Sequence, residues 1–317
     1  MAGTAETTAA APSGAAASTP AIHTVELTKR FGDTVALAGL SMTVPRGEVF
    51  GFLGPNGAGK TTAVKLLLGL LAPTAGEAWV LGQRIGDLQT RRRIGYLPEL
   101  FRYQGWLSAR EVLVLHCELA PLPRSRWKEA IEGALDIVGL SDRADDRVAT
   151  FSKGMQQRLG LGAALLGEPE LVFLDEPTSA LDPVGRHDVR QVIRDLSSRG
   201  AAVFLNSHLL SEVEQVCDRV AVVDQGRVIA SGTMDQLLSG SAVRVRVTGL
   251  DAASRAKLAG FGPLDEEGDQ LTFTALAPDR VPELVSQIVA MGGRVYEVAP
   301  RHQTLEDRFL QLLHEDR

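Results

Sequence analysis

Residues 54–62 read GPNGAGKTT, and this stretch decides how the rest of the chain is interpreted. It fits the pattern G-x-x-x-x-G-K-[ST], in which a glycine-rich turn leads from a strand into a helix. The apolar segment GEVFGFL (47–53) predicts that strand, and KTTAVKLLLGLL (60–71) predicts the helix, with Pro73 ending it. In such a turn, successive backbone N–H groups point at phosphate oxygens near the positive end of the helix. The sequence therefore predicts a site for a nucleoside triphosphate and its metal.

The positions of this loop have different chemical roles. Its glycines allow backbone angles and a close approach that a Cβ would block. Lys60 is expected to bridge the β- and γ-phosphates, Thr61 to bind Mg²⁺ and Thr62 to reach the α-phosphate. The loop residues expected to contact the nucleotide are Gly54, Pro55, Asn56, Gly57, Ala58, Gly59, Lys60, Thr61 and Thr62.

Two carboxylates follow a second apolar strand in LVFLDEP (171–177). A strand that ends at Asp175 is expected to deliver that carboxylate beside the phosphate loop, where it can hold Mg²⁺ through the water shell of the metal. Glu176 is the next residue, and it is placed to polarise an attacking water. The pair predicts triphosphate hydrolysis.

Composition limits the remaining choices. The chain has 317 residues, of which 44% are hydrophobic and 23% charged, as expected for a globular protein with a sizeable core. The net charge of −6 gives no general basic field for nucleic acid or an anionic membrane surface. Cys117 and Cys217 lack metal-ligand spacing, which indicates a reducing interior. No stretch approaches the roughly 18 apolar residues of a membrane span.

Strands alternate with helices along most of the chain, which predicts an α/β fold around a largely parallel sheet covered on both faces. VELTKRF and TVALAGLSMTV predict two antiparallel edge strands that meet at the FGD turn. A mostly helical stretch at about 100–160 interrupts the pattern. The predicted layout is a disordered tail over 1–20, a nucleotide-binding domain over 21–240 with this helical subdomain, and a small α+β domain over 241–317.

Two further motifs make a family resemblance explicit. FSKGMQQR (151–158) opens a helix, and NSHLL (206–210) places a histidine just past a strand. Together with GPNGAGKTT, GYLPE, LVFLDEP and SALD (179–182), in the same order, they resemble an ABC-type ATPase, the nucleotide-binding subunit of an ABC transporter. The resemblance covers about 22–240. It implies the fold of P-loop NTPases of the ABC type, with ATP and Mg²⁺ as cofactors.

The resemblance implies that two chains enclose two ATP molecules head to tail. Ser152 and the Gly154 N–H would contact the γ-phosphate of ATP held by Lys60 of the other chain, at a helix N-terminus. Glu176 and His208 would be the catalytic residues, with His208 orienting the water. Ser179 and Asp182 would line the interface between the chains. Phe31 stands where the family carries an aromatic that stacks on adenine, although an isolated phenylalanine after a turn is also a typical core residue.

The sequence departs from the family at two motifs. Glu99, in GYLPE, occupies the position where many members have a glutamine that contacts Mg²⁺. Glutamate can also bind Mg²⁺, so the expected metal ligands are Thr61, Glu99 and Asp175. Lys153 and Met155 replace the glycine and glutamine of the common form LSGGQ. Lys153 either adds positive charge near phosphate or is a solvated surface lysine.

The resemblance also implies the partners. A separately encoded, membrane-spanning permease and a second copy of the chain, or a related ATPase subunit, are expected, without direct nucleic-acid binding and at the cytoplasmic side of the inner membrane. The helical subdomain would receive the permease, with Phe101, Tyr103 and Trp106 either lining that groove or packing in the core. The motif forms and the tail TLEDRFLQLL resemble ATPases of bacterial multidrug, antibiotic and polysaccharide exporters, and the tail is expected to dimerise, to regulate or only to pack.

Two alternatives remain open from the sequence. A soluble ABC-type ATPase could act on nucleic acid or ribosomes, but such proteins normally carry tandem cassettes or long insertions that this chain lacks. A P-loop kinase would have no use for FSKGMQQR and His208.

Overall fold

The computed structural model describes residues 19–238, 241–273, 276–302 and 304–315. The predicted disordered tail over 1–20 lies outside the described residues except for its last two positions, and so does most of the SGS boundary at 239–241. Within the described part of the chain, no helix is long and apolar enough to cross a membrane.

The predicted parallel sheet is present, and it forms the centre of the fold. It contains six strands in the order β10-β9-β3-β8-β7-β6, of which all but β10 run parallel. Every residue of β3, β7 and β8 is buried, as expected for strands covered on both faces. The strands are β3 (Val49–Leu53), β6 (Ile94–Leu97), β7 (Leu171–Asp175), β8 (Ala202–Asn206), β9 (Arg219–Asp224) and β10 (Arg227–Thr233).

The predicted antiparallel strands form a separate four-stranded sheet, in the order β2-β1-β4-β5. The turn predicted at FGD joins β1 to β2, and Gly32 has a φ of +57° there. Only β2 of this pair lies at an edge, because β1 also pairs with β4. The strands are β1 (Ile22–Phe31), β2 (Thr34–Val44), β4 (Ala75–Val80) and β5 (Gln83–Arg84).

Helices cover the central sheet and build the helical subdomain. Helix α3 begins with a capping box, in which Ser108 and Glu111 satisfy each other's backbone N–H groups. The helices before the C-terminal region are α1 (Lys60–Leu67), α2 (Leu88–Arg91), α3 (Ala109–Leu119), α4 (Trp127–Ile137), α5 (Lys153–Leu165), α6 (Pro183–Ser198), α7 (Leu210–Val216) and α8 (Met234–Leu238).

Helix α1 is shorter than the sequence predicts. It was expected to run to residue 71, but it ends at Leu67, so Pro73 does not end it. Gly69 takes a φ of +66°, its N–H donates to the Leu66 carbonyl, and the Leu70 N–H donates to the Lys65 carbonyl. These two bonds form a Schellman motif, in which a left-handed glycine closes the helix. The leucine repeat continues past the helix and hides this stop signal.

The C-terminal region contains a third, antiparallel sheet in the order β12-β13-β11-β14 with its own hydrophobic core. Its elements are β11 (Ser241–Thr248), α9 (Ala252–Leu258), β12 (Leu264–Glu267), β13 (Gln270–Phe273), α10 (Val281–Ala290) and β14 (Arg294–His302). The last helix, α11 (Leu305–Glu315), returns to the nucleotide-binding part. Leu305 is buried in the core there, and its N–H donates to Glu214 Oε2 of α7 at 3.1 Å.

We expect Phe204→Ala to lower the free energy of unfolding by about 3–5 kcal/mol, because a buried aromatic side chain is lost and a cavity remains. Phe204 is fully buried, and its ring centroid lies 5.2–5.9 Å from those of Phe50, Phe52 and Phe173. Denaturant titration of the nucleotide-free protein measures the change. Phe31→Ala makes the same substitution at a half-exposed ring and should cost less than about 1 kcal/mol. Equal losses in the two variants would contradict the assignment of Phe204 to the core.

Candidate functional site

The loop GPNGAGKTT connects β3 to α1, as the sequence predicts. Gly57 and Gly59 have φ angles of +85° and +97°, which L-residues with side chains rarely adopt. A Cβ on Gly59 would lie 2.3 Å from the Ala36 carbonyl oxygen, whereas a Cβ on Gly57 would meet nothing within 4 Å. The loop therefore presses against β2 at one glycine and borders open space at the other.

The open space is a cleft of about 520 Å³, called the first cleft below. Nine of its lining residues are sequence-predicted site residues, and they come from four separate segments of the chain. These nine are Asn56, Gly57, Gly59, Lys60, Thr61, Thr62, Glu99, Glu176 and His208. Thr34, Val35, Ala36 and Asn206 also line it. The geometry therefore brings the phosphate loop and both predicted catalytic side chains into one cavity.

Lys60 is the cation of the first cleft. Its Nζ donates to the carbonyls of Gly54 at 2.7 Å and Pro55 at 3.2 Å, so the ammonium is held over the loop. Burial lowers the pKa of Lys60 from its usual range, while the nearby carboxylates of Glu176, Asp175 and Glu99 oppose that shift. A half-buried amine fixed by two carbonyls is well placed to contact an anion that enters the cleft.

Asp175 ends β7 and is almost fully buried, with 4% of its surface exposed. Burial is the main cause that raises the pKa of Asp175, and the carboxylates of Glu99 and Glu176 act in the same direction. A hydrogen bond from Asn206 and the charge of Lys60 favour the ionised form instead. Asp175 does not line the first cleft itself, but it is hydrogen-bonded to Asn206, which does.

Glu176 is held in a strained and closely fixed conformation. Its φ is +53°, which is uncommon for a residue with a side chain and often marks functional sites. Its backbone N–H donates to the Asn206 carbonyl at 2.9 Å. Its Oε1 accepts from the His208 N–H at 2.9 Å, and its Oε2 lies 2.7 Å from His208 Nδ1. Both carboxylate oxygens therefore contact the same residue, and the two predicted catalytic side chains are paired.

A second cleft, of about 570 Å³, lies at the start of α5. Ser152 caps this helix, since its Oγ accepts from the Met155 N–H at 3.2 Å. A Cβ on Gly154 would approach Leu181 Cδ2 to 3.2 Å, so this glycine permits the close packing of α5 against the SALD loop. Asp182, in that loop, caps α6 by accepting from the Gly185 N–H at 2.8 Å. The cleft is lined by Ser152, Lys153, Gly154, Met155, Arg158, Ala180, Leu181, Asp182, Val184, Gly185 and Asp188.

The two clefts have no lining residue in common. Within one chain, Ser152 and Gly154 are therefore not assembled around the same cavity as Lys60. Phe31 also lies outside the lining of the first cleft. This residue is 48% exposed, and Lys29 Nζ lies over its ring, 5.0 Å from the centroid. Ala58 is buried and does not line the first cleft; its N–H donates to the Pro55 carbonyl at 3.2 Å, and its carbonyl accepts from the Gly226 N–H at 3.1 Å.

The donor atoms around the first cleft suit a hard cation shared with phosphates. Among the described residues, no group of three or more His, Cys, Asp or Glu side chains is arranged to hold a metal ion alone. The first cleft instead offers the exposed Thr61 and Glu99, with Asp175 behind them, and these oxygen donors are the type that Mg²⁺ prefers alongside phosphate and water.

Three features of this region were not predicted from the sequence. Asn206 contacts the Asp175 carboxylate through its side chain and the Glu176 N–H through its backbone carbonyl. Gln157 is buried, and its Nε2 donates to the Glu176 carbonyl at 3.2 Å. Residues 34–36 of β2 line the first cleft. Two sequence features could have revealed Asn206 and Gln157. Asn206 is an amide at the end of an apolar strand, and Gln157 is a polar residue within a helix that packs on a sheet.

Comparison with known proteins shows the family of the chain. The family model described as ABC transporter matches residues 37–179. An uncharacterized ABC transporter ATP-binding protein of Nostoc is 42% identical over 87% of this chain and 82% of its own length. The daunorubicin resistance ATP-binding protein of Streptomyces coeruleorubidus is 39% identical over 91% of this chain and 94% of its own length. A solved ATP-binding subunit of an ABC transporter is 31% identical, with a TM-score of 0.64, over 69% of this chain and 92% of its own length.

We expect Lys60→Ala to weaken ATP binding about 10- to 100-fold, the loss typical of one or two charge-assisted hydrogen bonds. Fluorescence titration with an ATP analogue measures the dissociation constant. Lys65→Ala is the matched control, since Lys65 lies on the same helix with an exposed side chain. Unchanged affinity in Lys60→Ala, or equal losses in both variants, would refute the phosphate-loop assignment.

Proposed function

We propose that this chain, which belongs to the ATP-binding proteins of ABC transporters and is an ATPase of that family, drives export. The exported compound would pass through a separate membrane permease. One observation carries the proposal for the ATPase site. A single cleft contains Lys60, Glu176 and His208, and the helix start at Ser152 borders a different cleft. This separation supports a catalytic centre that two chains complete together.

ATP is proposed to bind with its phosphates on the loop 54–62. Mg²⁺, when bound, would be held by Thr61 and Glu99, and by Asp175 through water, and would neutralise charge on the β- and γ-phosphates. Lys60 would donate to the same phosphates from its fixed position above the loop. Among the remaining loop positions, Gly54 and residues 56–59 would donate backbone N–H groups and Thr62 its hydroxyl, whereas Pro55 has no N–H and would contact the nucleotide only by packing.

Hydrolysis is proposed to depend on the Glu176–His208 pair. A carboxylate accepts a proton from water when it lies within hydrogen-bond distance of the attacking oxygen. Glu176 is suited to this role because it faces the first cleft with little exposure and a fixed rotamer. The His208 side chain is 59% exposed at the mouth of the cleft, where it can orient the water and contact a γ-phosphate.

The second chain is proposed to supply Ser152 and the Gly154 N–H to this γ-phosphate. Helix α5 runs for 13 residues from its cap at Ser152, so a positive helix end faces the second cleft. Lys153 lines the same cleft and adds a positive charge there. The two chains would therefore close head to tail on two ATP molecules, with Ser179 and Asp182 near the interface between them.

Export, and attachment to the cytoplasmic side of the inner membrane, are inferred from relatives. One is named as the bacitracin transport ATP-binding protein of Bacillus licheniformis, and others are named for daunorubicin resistance and Nod factor export. The alternative of a nucleic-acid or ribosomal partner is not favoured by these relatives. The transported compound would be bound by the permease.

The helical subdomain is the proposed surface for the permease. Leu100 and Trp106 are 87% and 73% exposed, which is unusual for large apolar side chains so close together in sequence. Phe101 and Tyr103, by contrast, pack on the core with ring centroids 5.2 Å apart. Of the three aromatic residues suggested by the sequence, Trp106 is therefore the one proposed to contact the partner.

Glu176→Gln is expected to bind ATP without hydrolysing it and to accumulate as a dimer, because the closed state can no longer be released by hydrolysis. Size-exclusion chromatography with ATP and Mg²⁺ should show twice the mass of one chain. The double variant Glu176→Gln with Ser152→Ala should remain monomeric, since Ser152 is proposed to act across the interface. A monomeric Glu176→Gln protein, or a dimer that is indifferent to Ser152, would rule out the two-chain site.

The transporter assignment predicts that the tagged chain, extracted from native membranes in detergent, retains a multi-span membrane protein. Leu100→Asp with Trp106→Asp should release that protein and leave ATP binding intact, because buried aspartates are costly in an apolar interface. Val289→Asp is the control, since Val289 is 57% exposed on α10, outside the proposed surface. Recovery of ribosomes or DNA in place of a membrane protein would overturn the assignment.

A further inference from the structure

Asn206 is the last residue of β8 and contacts both the Asp175 side chain and the Glu176 backbone. It is 4% exposed, yet it lines the first cleft together with Lys60, Glu176 and His208. A buried polar side chain in the wall of an open cleft requires partners for both its donor and its acceptor atoms. Those partners define what Asn206 can do.

The side-chain amide nitrogen and the backbone carbonyl of Asn206 both have partners. Its Nδ2 donates to Asp175 Oδ1 at 2.5 Å, and its backbone carbonyl accepts from the Glu176 N–H at 2.9 Å. One residue of β8 thus contacts the Asp175 carboxylate and the backbone from which the Glu176 side chain projects. The parallel pairing of Asp175 with Asn206 places the two residues side by side.

The acceptor side of Asn206 has no partner. Its Oδ1 is buried and receives no hydrogen bond from any described residue. The orientation of the amide follows from chemistry, because an ionised carboxylate can only accept, so Nδ2 must face Asp175 and Oδ1 must face away. A buried acceptor without a donor is unfavourable unless the site is completed by something that enters the cleft.

The missing partner must be a small donor that reaches the buried Oδ1, on the side of the amide opposite the bond to Asp175. Ionised phosphate oxygens are acceptors and cannot serve. Water can donate, and a water bound to a divalent cation is a stronger donor than bulk water because the metal withdraws charge from its oxygen. Asp175 is also the carboxylate proposed to hold the metal through water, so the same hydration shell lies next to Asn206.

We propose that Asn206 is a positioning residue for the metal: Nδ2 anchors Asp175, and Oδ1 accepts a hydrogen bond from a water in the Mg²⁺ hydration shell. This inference rests on the proposed nucleotide site and adds a residue outside the metal ligands predicted from the sequence. The role is indirect, since Asn206 contacts neither the metal nor the nucleotide. It resembles the outer-shell partners that orient the ligands of other metal sites.

The test is the Mg²⁺ dependence of nucleotide affinity, which is independent of turnover. Binding of a non-hydrolysable ATP analogue is titrated at a series of free Mg²⁺ concentrations and again in excess EDTA. Asn206→Leu has nearly the same shape but neither donor nor acceptor, so we expect the Mg²⁺ concentration for half-maximal effect to rise about 10-fold or more. Affinity in EDTA should match that of the unmodified chain. Asn206→Thr keeps one hydroxyl and should show an intermediate shift.

Thr178→Val is the matched control. Thr178 is 3% exposed, its Oγ1 is also buried without a partner, and it does not line the first cleft. Its removal should leave the Mg²⁺ dependence unchanged, so a shift confined to Asn206 variants supports the proposal. If Asn206→Leu does not fold, the shift in Asn206→Thr decides alone.

Two results would overturn the inference. One is a Mg²⁺ dependence in the Asn206 variants equal to that of the unmodified chain. The other is an equal loss of affinity with and without Mg²⁺, which is what a purely structural role would give. Failure of the unmodified chain to bind the ATP analogue under any condition would instead refute the proposed nucleotide site itself, and the two failures are therefore distinguishable.

Discussion

The in-register parallel pairing of β3, β8 and β7 is the constraint on which the site depends. Asp175 pairs with Asn206, and Asn206 also pairs with Phe52 of β3. Because parallel strands end at the same edge of a sheet, the phosphate loop after β3, the carboxylates of β7 and the NSHLL segment of β8 emerge side by side. Shifting β8 by one residue would move Asn206 to the other face and separate Glu176 from His208. The full burial of these strands, with Phe204 among three other phenylalanine rings, fixes that register.

Charge explains why this edge suits a triphosphate together with a cation. Asp175, Glu176 and Glu99 act on a single ammonium, that of Lys60, so the carboxylates outnumber the cation. An anion alone would meet repulsion from them, and the N–H groups of the loop would have to compensate. A divalent cation between the phosphates and the carboxylates removes this repulsion, while the loop and Lys60 stabilise the far side of the phosphates. The raised pKa of Asp175 has the same origin, since burial and neighbouring negative charge both disfavour its ionised form.

Short sequence motifs predicted most of the residues of the candidate site. The residues that they did not predict are placed by contacts between distant parts of the chain. The phosphate loop, the carboxylate strand and His208 were predicted because each motif carries its chemistry within a few residues. The end of α1 was wrong because Leu68, Leu70 and Leu71 continue a helical pattern, whereas Gly69 closes the helix through its backbone. Asn206 and Gln157 were overlooked because their partners are 31 and 19 residues away in the chain. The separation of Ser152 from Lys60 into two clefts depends on how α5 packs, which periodicity cannot show.

The position of His208 depends on more than the strand before it. The helix that follows, α7, has seven residues and is too short to be stable alone, so neighbouring elements must hold it. On one side Glu212 forms a largely buried ion pair with Arg190 of α6 at 2.7 Å, and Arg194 donates to the Gln215 carbonyl. On the other side Glu214 accepts from the Leu305 N–H at the start of α11. Removing one partner of the buried pair would leave an uncompensated charge, which is more costly than losing a surface contact. The geometry of the Glu176–His208 pair therefore relies on contacts from both the helix that Asp182 caps and the last helix of the chain.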